Sequence, residues 1–103
     1  MYYIYMLRCE DNSLYTGITT DIKRRFEEHT AKSDKCAKYT LTHTVLKIER
    51  VWQTETRKDA SKLEYRLKRL KKEQKEALAS GSSEIDEFLS KKVDCNLFKN
   101  STF

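Results

Sequence analysis

Residues 1–30 read MYYIYMLRCEDNSLYTGITTDIKRRFEEHT. Within this stretch, residues 2–8 and 14–18 are rich in tyrosine and other residues that favour strands. They are separated by residues 10–13 (EDNS), a cluster typical of turns, so the sequence predicts a β-hairpin. Gly17 lies in the returning strand, where a glycine indicates either a bend or a place at which another group approaches the backbone closely.

A helix is predicted over 21–32, directly after the hairpin, with Thr20 or Asp21 as its N-cap. One face of this helix carries Ile22, Arg25, Phe26 and His29. The two apolar members of this set must face a core, and the arginine and the histidine are drawn inward beside them. Because an arginine is rarely buried without a partner, the pattern indicates an anion near Arg25.

The rest of the chain predicts one further strand and two further helices. Residues 44–53 alternate between apolar and polar side chains, which is typical of a strand. Residues 59–79 carry an apolar stripe at helical spacing and are expected to form the second helix, with Asp59 as its cap. Residues 84–89 predict a short third helix, and residues 96–103 are expected to fray.

The order β-β-α-β-α(-α) predicts an α+β fold, in which helices pack on a small, three-stranded, mainly antiparallel sheet. At 103 residues the chain can bury one modest core. We expect residues 1–80 to form the body of this single domain, and residues 81–103 to add a short helix and a frayed tail to it.

Composition excludes several classes of protein. The hydrophobic fraction of 38% and the charged fraction of 36% are typical of a globular chain rather than a disordered one. No apolar run approaches the ~20 residues that span a bilayer, and no signal-peptide pattern precedes the first strand, so we expect a cytoplasmic protein without a membrane partner. The three cysteines contain no C-x-x-C pair and predict neither a disulfide framework nor a zinc knuckle.

The net charge of +5 is concentrated in one segment. Residues 57–76 contain nine Lys/Arg and four Asp/Glu, so their positive excess equals that of the whole chain. A localised basic face indicates a polyanionic partner such as nucleic acid. A solvated helix surface without a partner has the same composition, and the charge run alone does not decide between the two.

Five positions of the chain resemble the GIY-YIG nuclease superfamily, which is named for two tripeptides on its first two strands. The first tripeptide here is YIY at 3–5 and the second is YTG at 15–17, each with one departure from the family pattern. The family's arginine corresponds to Arg25, and a position four residues later, tyrosine or histidine in many members, corresponds to His29. The family's metal-binding glutamate corresponds to Glu64.

The resemblance covers residues 2–78 and is strongest to the small, single-domain members. The catalytic subunit of the structure-selective flap endonuclease and the incision domain of nucleotide-excision repair are more distant. The resemblance implies an endonuclease that hydrolyses DNA phosphodiester bonds with one divalent cation, Mg²⁺ or Mn²⁺, held by Glu64. We therefore expect a structure-selective enzyme of DNA repair or processing, whose partner is branched, nicked or flapped DNA rather than plain duplex.

The resemblance also implies a catalytic role for each residue of the motif. Arg25 would contact the scissile phosphate and stabilise the negative charge that develops on its oxygens. Tyr5 or Tyr15 would activate the attacking water, provided that nearby positive charge lowers the pKa of the phenol. His29 would assist as a base or orient the water, and Glu64 would hold the metal.

Contacts with nucleic acid are expected from five basic residues: Lys38, Arg66, Lys68, Lys71 and Lys72. Lys38 belongs to a segment, 36–40, that resembles the substrate-side loop of the small members. Some relatives carry a lysine or arginine immediately after the second tripeptide, where this chain has Ile18. The missing charge would then come from Lys38 or Lys71.

Other interpretations of the same residues stay open at this point. Glu64 can form a salt bridge with Arg25 or a nearby lysine instead of holding a cation, and Tyr5 and Tyr15 can be ordinary core aromatics. For function, the alternative is a nucleic-acid-binding module of the same fold that does not cleave, or that cleaves only with a protein partner that supplies specificity. RNA is a third candidate substrate.

Overall fold

The predicted hairpin forms one side of the sheet. In the computed structural model, which describes residues 1–31 and 43–101, strand β1 (Tyr2–Cys9) pairs antiparallel with β2 (Leu14–Thr19). On its other edge, β1 pairs antiparallel with β3 (Val45–Thr54). The strand order across the sheet is β2-β1-β3-β4, so β1 is paired along both edges.

A short fourth strand completes the sheet. Strand β4 (Lys99–Asn100) pairs antiparallel with the end of β3, and the backbone N–H of Ser101 donates to the carbonyl of Val51 at 2.9 Å. Up to residue 101, this ordered edge replaces the fraying that was expected over 96–103, and residues 102 and 103 lie outside the described residues. A strand of two residues is too short to show alternation, so the pattern could not predict it. The α+β fold with a small antiparallel sheet is confirmed, with one strand added.

Helix α1 (Ile22–Thr30) follows β2 with Asp21 as its N-cap, as predicted. The Asp21 carboxylate accepts a hydrogen bond from the backbone N–H of Arg24 at 3.1 Å, which satisfies one of the unpaired donors of the first turn. The helix ends close to the predicted boundary, with Ala31 as its C-cap.

The predicted second helix is two helices, and the prediction of one continuous helix to about residue 79 is wrong. Helix α2 (Arg57–Lys68) ends in a tight turn, and helix α3 (Lys72–Ser80) begins after three intervening residues. Lys71 between them is extended, and its backbone N–H donates to the side chain of Gln74 at 3.0 Å. The apolar spacing continues across the break through Leu70, so the pattern could not reveal it.

The N-cap of α2 is Thr56 rather than Asp59. The Thr56 hydroxyl oxygen accepts a hydrogen bond from the backbone N–H of Asp59 at 3.2 Å, and the hydroxyl donates to the Asp59 carboxylate at 2.9 Å. Asp59 therefore lies in the first turn of α2, where a negative charge is favourable near the positive end of the helix dipole.

Side chains of β1 alternate between two buried clusters. Ile4 and Met6 belong to the larger cluster, together with core residues of α2, of α3 and of the short helix α4 (Ile85–Leu89). Tyr5 and Leu7 belong to the smaller cluster, on which α1 packs. Because successive side chains of a strand point to opposite faces, α1 and α2 cover opposite faces of the sheet. No helix in the described ranges is both long and apolar enough to cross a bilayer.

Candidate active site

A buried tyrosine and a buried histidine are in contact at the side of the sheet that α1 covers. The Tyr5 hydroxyl lies 3.0 Å from Nε2 of His29, within hydrogen-bond distance. Tyr5 comes from β1 and is 2% exposed, and His29 comes from the last turn of α1 and is fully buried. A buried imidazole requires a polar partner, and the phenol provides it.

Tyr15 of β2 completes a cluster of three rings with this pair. Its ring centroid lies 6.4 Å from that of Tyr5 and 5.5 Å from that of His29. Tyr15 is half-buried, whereas the other two members are enclosed. Of the two candidate phenols, the one on β2 is therefore more open to solvent.

Gly17 makes room for this cluster. It pairs with Tyr5 across the hairpin, and a Cβ atom at position 17 would lie 2.7 Å from Cζ of Tyr5 and 3.2 Å from Cε2 of Tyr15. Real Cβ atoms do not approach other atoms at the shorter of these distances. The group that approaches the backbone of Gly17 is thus the phenol ring of Tyr5, which decides between the two roles that the sequence allowed.

Arg25 of α1 lies beside the same ring. Its guanidinium is close enough to the Tyr5 hydroxyl to favour the ionised phenol, and its Nη1 lies 3.0 Å from Oε1 of Glu28 in an ion pair within α1. The Arg25 side chain is 23% exposed. Arg25 therefore forms an ion pair with Glu28, and its guanidinium also acts on the tyrosine cluster.

The electrostatics of the cluster favour neutral side chains. Burial raises the pKa of Tyr5 to about 12, although Arg25 acts in the opposite direction. Burial also raises the pKa of Tyr15. The lowered phenol pKa that the sequence argument required is not found in the free protein, because desolvation outweighs the positive charge of Arg25. Burial, and then the charge of Arg25, lower the pKa of His29 to about 4, so its imidazole is neutral at pH 7 and able to accept a proton.

Glu64 lies on the flank of α2, next to the tyrosines. Burial is the main influence on the pKa of Tyr5 and of Tyr15, and the charge of Glu64 is a smaller one on both. Nζ of Lys68 lies 3.6 Å from Oε2 of Glu64 and 5.7 Å from the ring centroid of Tyr15. The salt bridge to a neighbouring lysine is therefore formed, but it is a long one, and the Glu64 side chain remains 24% exposed.

The donor set around Glu64 fits one type of cation. Within residues 1–31 and 43–101, no group of three or more His, Cys, Asp and Glu side chains is arranged to hold a metal ion. The Nε2 atom of His29 is engaged with Tyr5, and Glu28 is paired with Arg25, so Glu64 is the carboxylate beside the tyrosines that would hold a cation. Mg²⁺ fits such a position, because it keeps several waters and is commonly bound by one or two carboxylates together with substrate phosphates.

A polar cleft of about 440 Å³ opens beside Arg25. Its lining includes Arg24 and Arg25 of α1, Arg57 of the first turn of α2, and Ile18 of β2. In the part of the chain that the structure describes, the guanidinium groups of Arg24 and Arg57 have no carboxylate partner. Three arginines thus line the same cleft as Ile18, the position at which the resemblance implies a basic residue in some relatives.

A model of the GIY-YIG catalytic domain matches residues 1–77. The chain belongs to the GIY-YIG nuclease family. The resemblance predicted from five positions is thereby confirmed, and the tyrosine cluster, Arg25 and Glu64 all lie within the matched GIY-YIG domain.

The chain is also similar to relatives of comparable size. A UPF0213 protein of Fusobacterium nucleatum is 51% identical over 79 residues, which are 77% of each chain. A UPF0213 protein of Vibrio cholerae is 42% identical over 89 residues, which are 84% of each chain. The solution structure of the UPF0213 protein of Bacillus halodurans is 37% identical and covers 78% of this chain and 84% of its own, with a TM-score of 0.45.

The five predicted nucleic-acid contacts of this GIY-YIG domain lie in different places. Lys68 lies beside Glu64. Arg66 is two residues away from each of them along α2, and residues two apart lie on nearly opposite sides of a helix, so Arg66 points away from Glu64. Lys71 and Lys72 are exposed at the junction of α2 and α3. Lys38 lies outside the described residues.

Arg24 and Arg57 are site residues that the sequence argument missed. A signal for Arg57 existed, because it lies seven residues before Glu64 and seven residues are almost two helical turns, which places both on one face of α2. Arg24 gave no comparable signal, because it precedes Arg25 by one residue and its direction depends on how α1 packs against the end of β2.

Proposed function

We propose that this protein is a metal-dependent endonuclease that hydrolyses DNA phosphodiester bonds. The observation that carries this proposal is the Tyr5–His29 hydrogen bond of 3.0 Å beside Arg25 and Glu64. A proton acceptor, a fixed positive charge and a carboxylate, contributed by β1, α1 and α2, lie next to one another, as hydrolysis of a phosphodiester requires.

The Tyr5–His29 pair supports a proton relay. With His29 neutral, the Tyr5 hydroxyl donates to its Nε2, and the phenol oxygen can accept a proton from water as its own proton passes to the imidazole. In this scheme the phenol is never ionised in the free protein, so the raised pKa of Tyr5 does not prevent it from acting. We assign the relay to Tyr5 because of this hydrogen bond, and we assign to Tyr15 the positioning of water or substrate from its more open side.

The substrate itself would activate the base. The charge of Arg25 is the second cause, after burial, of the low pKa of His29. A phosphodiester bound to Arg25 neutralises part of this charge, and the pKa of His29 then rises. The imidazole therefore becomes a better proton acceptor when the scissile phosphate is in place, and not before.

Glu64 would hold one divalent cation, Mg²⁺ or Mn²⁺. When bound, the cation polarises a phosphoryl oxygen and stabilises the charge that develops on it. The long contact between Glu64 and Lys68 supports this assignment, because a surface ion pair of this length contributes little and can be exchanged for a stronger ligand. Arg24 and Arg57 would bind the phosphates next to the scissile one.

For the biological substrate, we propose structure-selective cleavage of branched, nicked or flapped DNA in repair or processing. The small size of the protein supports selectivity for DNA shape over base sequence. The alternative is a binding module that cleaves poorly or only with a protein partner, and the high phenol pKa values favour it as the second candidate.

Cleavage assays test the proposal directly. Nicked, flapped, branched and linear DNA are incubated with the protein in Mg²⁺, in Mn²⁺ and in EDTA. We expect cleavage of the discontinuous substrates, dependence on the metal, and loss of activity in Glu64→Gln. The control is Glu73→Gln, which changes an exposed carboxylate in the first turn of α3 and is purified in the same way, so that a contaminating nuclease would persist in both variants. Tight binding without cleavage by the unmodified protein would reject the proposal and favour the binding module.

A further inference from the structure

An exposed tyrosine lies close to two arginines on the outer side of α2. Cζ of Arg66 lies 5.3 Å from the ring centroid of Tyr65, and Cζ of Arg69 lies 5.4 Å from it. Tyr65 is 54% exposed, so its ring takes no part in the core. The core side of α2 is formed by Ala60, Leu63 and Leu67, on the opposite side of the helix.

The surroundings of this ring are strongly basic. A groove of about 360 Å³ beside Tyr65 is lined by Lys58 and Lys62 of α2, by Arg66, and by Lys92, which follows α4. In the described ranges, none of these cationic groups forms an ion pair with a carboxylate. The acids Asp59 and Asp94 lie further along, in a neighbouring cleft that also includes Lys62 and Lys92. We call the set of Lys58, Lys62, Tyr65, Arg66, Arg69 and Lys92 the Tyr65 surface.

We propose that the Tyr65 surface binds a single-stranded stretch of nucleic acid, with an unpaired base stacked on Tyr65 or on one of its two guanidinium groups. Aromatic rings and guanidinium planes are the side chains on which unpaired bases stack, and lysines next to them bind the phosphates. The identification of the strand as DNA rests on the proposed function, but the stacking site rests on the geometry alone.

The chemistry of the surface favours a single strand over a duplex. A duplex presents its phosphates to lysines, but its bases are already stacked on one another and offer no face to an exposed ring. An acidic protein segment would pair with the charges, but its carboxylates have no extended planar face that stacks on a tyrosine ring and a guanidinium group in the way a base does. The combination of an exposed ring with unpaired cationic groups matches an unpaired nucleotide.

The position of the surface relates it to the candidate active site. Glu64 and Tyr65 are consecutive residues of α2 and differ by about 100° around the helix axis. Lys68 lies between them on the helix surface and contacts Glu64. A strand that leaves the scissile phosphate can therefore cross α2 by way of Lys68 and reach Tyr65. A substrate with a junction between duplex and single strand would contact both sites, whereas a plain duplex would contact only the first.

Binding measurements test the stacking site without any cleavage. Fluorescence anisotropy of a labelled oligo(dT) and of a labelled duplex is recorded in EDTA with the full chain in its Glu64→Gln form, over a range of salt concentrations. Tyr65→Ala is expected to weaken binding of the single strand about tenfold and to leave the slope of log K against log salt unchanged, because no phosphate contact is lost. Tyr65→Phe is expected to retain binding, because the stacking ring is kept.

Two controls separate stacking from charge and from folding. Lys62→Ala should weaken binding of the single strand and reduce the salt slope by about 0.7, the value for one phosphate contact in single strands. Leu46→Ala removes an apolar side chain that is also 54% exposed, on β3, and should change neither quantity. A 2-aminopurine base in the strand should be quenched on binding to the parent and to Tyr65→Phe, but not on binding to Tyr65→Ala.

The outcomes distinguish this inference from the proposed function. If the protein cleaves branched DNA but Tyr65→Ala binds the single strand as tightly as its parent, the inference is overturned and the proposed function stands. If Tyr65→Ala weakens the binding of single strand and duplex equally, the surface is not a stacking site and the inference is again overturned. If no DNA is cleaved but Tyr65→Ala selectively loses the single strand, the inference stands and the proposed function fails.

Discussion

The ring of Tyr5 occupies the space that a side chain at position 17 would need. With Tyr5 in this position, residue 17 must therefore be a glycine. The two residues pair across the β1–β2 hairpin. The hydroxyl of the same ring reaches His29 at 3.0 Å on α1. The glycine of the second tripeptide thus leaves the space in which the phenol of the first one reaches a histidine on the following helix.

We predict that Gly17→Ala disturbs the site and lowers stability. The new methyl group would meet Cζ of Tyr5 at 2.7 Å, and the ring must move away from His29 or the hairpin must open. Overpacking of this kind is expected to lower the free energy of unfolding by about 1–3 kcal/mol. Urea unfolding measures the loss, and the imidazole signals of His29 in NMR spectra report the displaced ring.

Gly81→Ala is the matched control for this substitution. A Cβ at position 81 meets nothing within 4 Å, but the residue has a φ of 80°, so alanine there is strained through the backbone alone. Both variants should be less stable than the parent, but only Gly17→Ala should shift the His29 signals. Unchanged His29 signals in Gly17→Ala would contradict the close packing of the two residues.

The buried His29 makes stability depend on pH in a definite window. Burial, with the charge of Arg25, lowers the pKa of His29 from 6.5 to about 4 in the folded protein. Between these two values the unfolded chain binds a proton that the folded chain does not, so unfolding becomes more favourable as the pH falls. The stabilisation is fully present above the pKa of histidine in the unfolded chain and is lost on acidification towards about pH 4, with a magnitude of about 3 kcal/mol.

Urea unfolding at several pH values checks this prediction. Carboxylates also titrate in acid, so the measurement compares the parent with His29→Gln, which keeps a polar group at the position but does not titrate. The difference between the two curves should appear between pH 6.5 and pH 4, the two limits of the histidine shift. Parallel curves over that window would mean that His29 is not held in its neutral form by the fold.

The two candidate phenols should differ in their importance for cleavage. Tyr5 is hydrogen-bonded to Nε2 of His29 in the relay proposed above, whereas Tyr15 is the more exposed ring. We expect Tyr5→Phe to lower kcat by about 10²–10⁴-fold, the range for a lost general base. Tyr15→Phe should lower kcat by about fivefold, the effect of one lost hydrogen bond.

The pH profile of cleavage provides a second readout for this assignment. Tyr5→Phe keeps the ring but removes the hydroxyl that joins the water to His29, so the limb of the profile that reports His29 should disappear. Tyr3→Phe is the control, because this partly buried tyrosine of β1 faces a different cleft, lined by residues of α1 and β3. A larger loss of kcat in Tyr15→Phe than in Tyr5→Phe would mean that Tyr15, and not Tyr5, accepts the proton from water.

The parts of this structure that the sequence predicted share a physical basis. The hairpin and α1 depend on local signals, namely turn residues, alternation and an N-cap, and these act over a few residues. The inward direction of Arg25 and His29 followed from helical spacing with Ile22 and Phe26, because a helix places residues three and four apart on one face.

What could not be predicted depends on contacts that the spacing of apolar residues does not reveal. The break between α2 and α3 depends on one side chain, Gln74, that takes the backbone N–H of Lys71, while the apolar spacing continues without interruption. The raised pKa of Tyr5 depends on how much of its ring is desolvated, which only the packed structure reveals. The arginine cleft depends on how α2 approaches the end of β2.

Arg57 should take over the role of the basic residue that is replaced by Ile18. Both residues line the cleft beside Arg25, and Arg57 is the one that comes from the helix that carries Glu64. We expect Arg57→Ala to weaken binding of nicked DNA and to reduce the slope of log K against log salt by about 0.9, the value for one phosphate contact in duplex DNA. Lys99→Ala removes an exposed charge of β4 that lies outside this cleft and should change neither quantity.

The double variant Arg57→Ala with Ile18→Lys gives the decisive comparison. A lysine introduced at position 18 projects from β2 into the same cleft, so it should restore the salt slope and most of the affinity that Arg57→Ala loses. A lysine is a point charge rather than a planar fork, so recovery of the affinity should be incomplete. If Ile18→Lys raises the affinity equally whether or not Arg57 is present, the two positions do not bind the same phosphate. Arg57 would then not replace the basic residue that is missing at position 18.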